Sequence, residues 1–174
     1  MNQVSLGAVG NLARRIVPGL TILLLVLLAH LHLPFPFYAE VAPALPLMGI
    51  YYWAVFRPDL MPPIVIFAIG LFQDALIGAP FGLSAMVYLL AHGFVRSQRR
   101  FLVGKPFWIF WGGFAIIAPL TGALTWILAS ACRGAFLPNG VVVASIGLTV
   151  VAFPAIAWIL LQSQRRLVGA AEPA

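Results

Sequence analysis

The chain has 174 residues, 63% of them hydrophobic and 8% charged, and its ten Lys and Arg against four Asp and Glu give a formal net charge of +6. Soluble domains carry about 25% charged residues in a polar shell, so this composition, with a mean hydropathy of +1.05, excludes a water-soluble globule and points to an integral membrane protein. The bases form no dense run on a polar scaffold, which argues against nucleic-acid binding, and the single Cys132 excludes an internal disulfide or a cysteine-based metal site.

In chain order, polar and Gly-containing residues 1–15 end in Arg14-Arg15 just before the apolar run 16–33. A signal peptide has the same plan, with Tyr38-Ala39 as a conceivable cleavage site. The run is nevertheless long enough to span a bilayer, ends in Pro and aromatic residues, and is followed by further apolar segments, so it reads as the first transmembrane segment. His30 and His32 are two apart and cannot share a helix face. They read as interfacial residues beside Pro34-Phe35-Pro36-Phe37-Tyr38, whose aromatic rings suit the headgroup level.

The second span covers 42–56, with an irregular or kinked start set by Pro43 and Pro46, and closes on Tyr51, Tyr52, Trp53 and Arg57. Pro58 holds Arg57 extended, and Asp59 is expected to cap a third span, 60–77, that opens with Pro62 and Pro63 in its first turn. In that span Gly70, Asp74 and Gly78 recur every fourth residue, a stripe of small residues that lets another helix come close. Ala79-Pro80-Phe81-Gly82 makes a turn into span four, 83–95, which ends at Arg96, Arg99, Arg100 and Lys105. Span five, 106–131, opens on Phe107, Trp108, Phe110 and Trp111, and its Gly112, Gly113, Pro119, Thr121, Gly122 and Thr125 predict a kink packed by small residues. After a loop over 132–140, span six covers 141–162 and ends at Arg165-Arg166, before a tail over 167–174.

The fold class expected is therefore an all-α membrane protein, one domain over 1–166 with six spans. With the N-terminus cytoplasmic, Arg14, Arg15, Arg57, Arg96, Arg99, Arg100, Lys105, Arg165 and Arg166 all lie inside, nine of the ten bases, and Arg133 alone lies outside. The positive-inside bias thus predicts both ends of the bundle in the cytoplasm, and leaves no room for a soluble catalytic domain.

An acid within a span costs about 2.5–3.5 kcal/mol on insertion scales and is a functional-site hypothesis by default. Asp74 lies roughly 6 Å below the outer end of its helix. Two readings stand: a hydrogen bond to a neighbouring helix backbone, Gln73 or a Ser/Thr side chain, or contact with a partner or ligand. His92 is the other titratable group in a span, on the order of 10 Å away along the axis, and reads as a helix-end residue near the cytoplasmic headgroups. Arg57 and Asp59 likewise read either as a topology arginine and a helix cap or as part of a cationic docking turn. No serine, cysteine or aspartyl catalytic grouping, phosphate-binding Gly loop or metal cluster is recognisable, so the chain reads as non-enzymatic and without cofactor. An intramembrane hydrolase built on Asp74 lacks a second acid at matching depth.

The run Tyr52-Trp53-Ala54-Val55-Phe56-Arg57-Pro58-Asp59-Leu60, then Pro62, then Gly70-Leu71-Phe72-Gln73-Asp74-Ala75-Leu76-Ile77-Gly78-Ala79-Pro80-Phe81-Gly82-Leu83-Ser84-Ala85 resembles the rod shape-determining protein MreD family. That family shows a Tyr/Trp-rich helix end, R-P-D, and G-L-x-x-D-x-L-x-G-x-P-x-G-L. Carried over, its motif positions are Arg57, Pro58, Asp59, Pro62, Gly70, Asp74, Gly78, Pro80 and Gly82. Phe81 departs from the usual leucine. The resemblance implies a multi-pass subunit of the bacterial inner membrane in the cell-elongation complex. It implies that the subunit binds MreC and, through it, links MreB filaments to the glycan polymerase RodA and its transpeptidase. It also implies an architecture like the substrate-binding subunits of energy-coupling-factor transporters.

Two functions follow as expectations. In the first, the chain is a scaffold that takes the transmembrane helix of MreC along the Gly70–Gly78 seam, among membrane lipid and with self-association as a further option. In the second, it binds or transports a small molecule in an outward-open pocket near Asp74, with Gln73, Ser84, Thr121 and Thr125 as the polar groups available.

Overall fold

In a computed structural model, residues 3–30, 42–134 and 139–167 are described, with side chains described for 16–30, 42–132, 134 and 140–164. These residues are all-helical: α1 Gln3–Ala29, α2 Leu45–Phe56, α3 Pro63–Ile77, α4 Leu83–Leu102, α5 Phe107–Arg133 and α6 Asn139–Leu167, with a single 3-10 turn, Pro58–Leu60, between α2 and α3. Two stretches, Phe107–Cys132 and Gly140–Gln164, are long and apolar enough to cross a membrane. The core helix of a soluble protein would hide most of such a surface. Here only 28% and 17% of the two apolar windows are buried, so their apolar side chains face outward. Leu20, Ile64, Trp108, Ile116, Val143, Val151 and Trp158 are all more than half exposed.

The bundle is built around α2. Every residue from Leu45 to Val55 is buried, the pattern of a helix that is apolar all round and has neighbours on every side. α1, α4 and α6 pack against it. Burying Tyr51, Tyr52 and Trp53 requires a partner for each polar tip. Tyr51 donates to the Phe110 carbonyl at 2.8 Å, Tyr52 to Gln164 Oε1 at 2.8 Å, and Trp53 Nε1 to Thr21 Oγ1 at 3.0 Å. The Tyr51 ring also meets Phe110, Phe114 and Phe153, and the last two stack with centroids 4.1 Å apart. Each such pair contributes about 0.5–1.5 kcal/mol beyond area burial.

These bonds also set helix directions. Ala42 and Ala44 meet Ser145 and Thr149 at one end while Tyr52 meets Gln164 at the other, so α2 and α6 run parallel. Arg99 Nε donates to the Val55 carbonyl at 2.8 Å. The C-terminal ends of α2 and α4 therefore share one end of the bundle, with Arg57, Arg96, Arg100 and Lys105 in the adjoining chain.

Several boundaries differ from the hydropathy reading. α1 starts at Gln3 instead of 16, with Pro18 inside it, and α4 runs to Leu102 instead of 95. Hydropathy marks where a span ends, whereas Arg, Gln and Ser extend a helix past that point at little cost. The irregular start of α2 is present over 42–44. Pro119 and Pro154 lie within α5 and α6 without ending them. The side chains of Arg14, Arg15, Arg133, Arg165 and Arg166, the residues His32, Pro34–Tyr38 and Ala39, and the tail beyond 167 lie outside the described residues. His30 tucks its Nδ1 against the Val26 carbonyl at 2.7 Å.

Candidate functional site

The motif from Gly70 to Ala85 folds into a hairpin of two tightly packed helices, and each of its special residues has a backbone reason. At Gly70 the α4 backbone comes so close that a Cβ would sit 2.6 Å from the Ala85 nitrogen. Gly78, with φ +64°, is the left-handed C-cap of α3. Gly82, with φ +96°, is the N-cap of α4 and has no side chain with which to cap it.

Asp74 supplies what Gly82 lacks. Its carboxylate is 0% exposed and accepts the Gly82 N–H on Oδ2 at 2.9 Å and the Ser84 N–H on Oδ1 at 3.0 Å, with a second approach to Oδ2 at 3.2 Å. A negative group here satisfies otherwise unpaired donors and sits favourably at the positive end of the helix dipole. Its own backbone carbonyl accepts the N–H groups of Gly78 and Ala79. One residue therefore finishes α3 with its main chain and starts α4 with its side chain. Of the two readings of Asp74, its observed partners are those of the structural one.

The stripe expected over Gly70, Asp74 and Gly78 does not form a free seam. α4 fills the Gly70 face. Gly78 lies beyond the last turn, exposed, where helical periodicity no longer applies. Pro80 and Phe81 form the tip of the turn. Phe81 is 78% exposed, so the departure from leucine changes no packing inside this chain.

At the other motif half, Pro58 is buried while Arg57 and Asp59 are exposed. Asp59 does not cap α3: it sits in the 3-10 turn, and Pro62 takes the N-cap position, with Pro63 in the first turn. The base that reaches the end of α2 is Arg99, on an unpaired carbonyl where a cation is favoured. His92 is 3% exposed in the body of α4, not at a helix end, and its Nε2 has no partner among the described residues. It was misplaced because α4 continues two turns past the apolar run.

Between this hairpin and the α5–α6 pair lies a cavity of about 340 Å³. Its polar lining comes from Gln73, Ser84 and Tyr88 on the hairpin, Thr121 and Thr125 on α5, and Ser145 and Thr149 on α6. Ala44 and Leu47 add the first turn of α2, so the cavity lies at the opposite end of α2 from Arg99. Of the polar residues expected from sequence, Gln73, Ser84, Thr121 and Thr125 are brought together here, whereas Asp74 is not among the lining groups. Tyr88, Ser145 and Thr149 were not foreseen. The signal available for the last two was their i, i+4 spacing, which places both on one face of α6. No family model, no curated protein and no solved structure matches this chain.

Proposed function

We propose that the chain is a six-span protein of the bacterial inner membrane, with both ends of the bundle in the cytoplasm, acting as a non-enzymatic scaffold of the MreD type in the cell-elongation complex. In this reading it binds MreC and helps couple MreB filaments to RodA and its transpeptidase. The architecture would be that of a six-helix bundle like the substrate-binding subunits of energy-coupling-factor transporters. The observation that carries the reading is the use made of Asp74: the acid that would be the natural reactive group is taken up in closing a helical hairpin. The topology draws support from Arg57, Arg96, Arg99, Arg100 and Lys105 gathering at the end where α2 and α4 finish.

Because α4 already occupies the Gly70 face, MreC would meet an outer apolar face and the exposed Arg57–Asp59 turn. Affinity purification from membranes containing both proteins tests this. MreC is expected to be recovered with the wild type and reduced by Arg57→Glu, a change of an exposed side chain that leaves the bundle folded. Failure to recover MreC with a folded wild-type chain would remove the scaffold reading.

A second reading, a small-molecule-binding subunit, is favoured by the hydroxyl-lined cavity, whose volume is within the roughly 300–1,000 Å³ of ligand pockets. On the positive-inside topology it faces the outer half of the bilayer.

A further inference from the structure

Resting on the small-molecule reading of that cavity, we infer that its ligand is an uncharged amphiphile that donates hydrogen bonds, a hydroxyl- or amide-headed molecule with an apolar chain.

The argument begins with what the wall lacks. None of the described residues that line the cavity is Asp, Glu, Lys, Arg or His, and an ion brought against such a wall without a counter-charge or water pays a heavy desolvation cost. A carboxylate, phosphate or ammonium headgroup is therefore a poor occupant.

The hydrogen-bond inventory then gives the polarity of the headgroup. A hydroxyl has one proton and two lone pairs. Thr121 directs its proton to the Ile117 and Ala118 carbonyls, Thr125 to the Thr121 carbonyl at 2.8 Å, and Ser145 to the Ala42 carbonyl at 2.9 Å. Tyr88 donates to Gln73 Oε1 at 2.8 Å. With these protons committed inside the protein, the oxygens have lone pairs to offer. Among the described residues the wall is mainly an acceptor surface, with donors in the Gln73 amide nitrogen, the Ser84 hydroxyl and the Trp126 indole. A ligand with two or more O–H or N–H groups complements it better than one with acceptors alone. The remaining lining is largely apolar, including Leu47, Val87 and Ile146, and the lining residue Ile77 is itself exposed, so an apolar chain can continue from the cavity to the outside.

Four probes with the same C18 chain separate the possibilities: 1-monooleoylglycerol, methyl oleate, oleate and oleylamine. Each is titrated into the full chain in phosphatidylcholine nanodiscs and read by native mass spectrometry, for the wild type, Thr125→Val and the cavity-filling Val142→Trp. Helix content and melting are followed for each, with Ala129→Leu as the filling variant if Val142→Trp does not fold. The monoglyceride is expected to bind about tenfold more tightly than methyl oleate, as two net hydrogen bonds would give, and more tightly than either ion. Thr125→Val narrows that margin, and the filling variant removes binding. Equal binding of monoglyceride and methyl ester, or preference for either ion, overturns the donor assignment while leaving the cavity a ligand site. If no probe distinguishes the wild type from the filling variant, the small-molecule reading itself fails and the donor assignment falls with it.

Discussion

The α3–α4 hairpin and the α5–α6 wall both place polar groups in an apolar chain, and they treat them in opposite ways. In the hairpin, the Asp74 charge is spent on two backbone N–H groups and sealed from the surface. Along the wall, neutral hydroxyls give their protons to nearby carbonyls and keep oxygen lone pairs directed at a cavity. The difference follows from cost. An ion in an apolar medium must be fully paired, whereas a back-bonded hydroxyl is tolerated with part of its capacity unused. The hairpin should therefore govern stability and the wall should govern what is bound.

Asp74→Ala breaks the comparison most severely. It strands the Gly82 and Ser84 donors and removes charge-assisted bonds, with an expected loss of about 3 kcal/mol or more, read by denaturant titration in mixed micelles. Asp74→Asn keeps one acceptor oxygen and should lose about half as much. Next is Gly70→Ala, whose Cβ meets Ala85 backbone instead of a movable side chain; overpacking of this kind costs about 1–3 kcal/mol. Gly82→Ala, strained at φ +96°, should cost about 1–2 kcal/mol. His92→Phe has the opposite sign: it removes a buried nitrogen without a partner among the described residues and should stabilise by about 1 kcal/mol. Thr125→Val is the smallest, within about 0.5 kcal/mol of wild type. An Asp74→Ala chain that melts like Thr125→Val would erase the distinction between the two regions.

Much of the helical plan was legible because apolar runs bounded by Pro, Gly and Arg mark helices directly, as over 42–56 and 106–131. What escaped was set by backbone and tertiary geometry. The interval Gly70–Asp74–Gly78 looks like one continuous stripe, yet the helix stops at Ile77 and Gly78 turns left-handed. Asp59 is the kind of residue that caps a helix, but the 3-10 turn over Pro58–Leu60 moves the start of α3 beyond its reach. Ser145 and Thr149 carry no signal by themselves because hydroxyls in a long apolar helix are ordinary. Their importance appears only once Ala42 and Ala44 are folded against them.

On the proposed six-span topology, the shared carboxylate has a further consequence for how the polypeptide would enter the bilayer. When synthesis has delivered Gly78 but not Ser84, Asp74 would sit in lipid with neither capping donor, so α3 is a poor passenger by itself and becomes an acceptable one when its successor arrives. The two helices should therefore leave the translocon together, and pulling-force measurements on arrested nascent chains should show one joint insertion step for them in place of two.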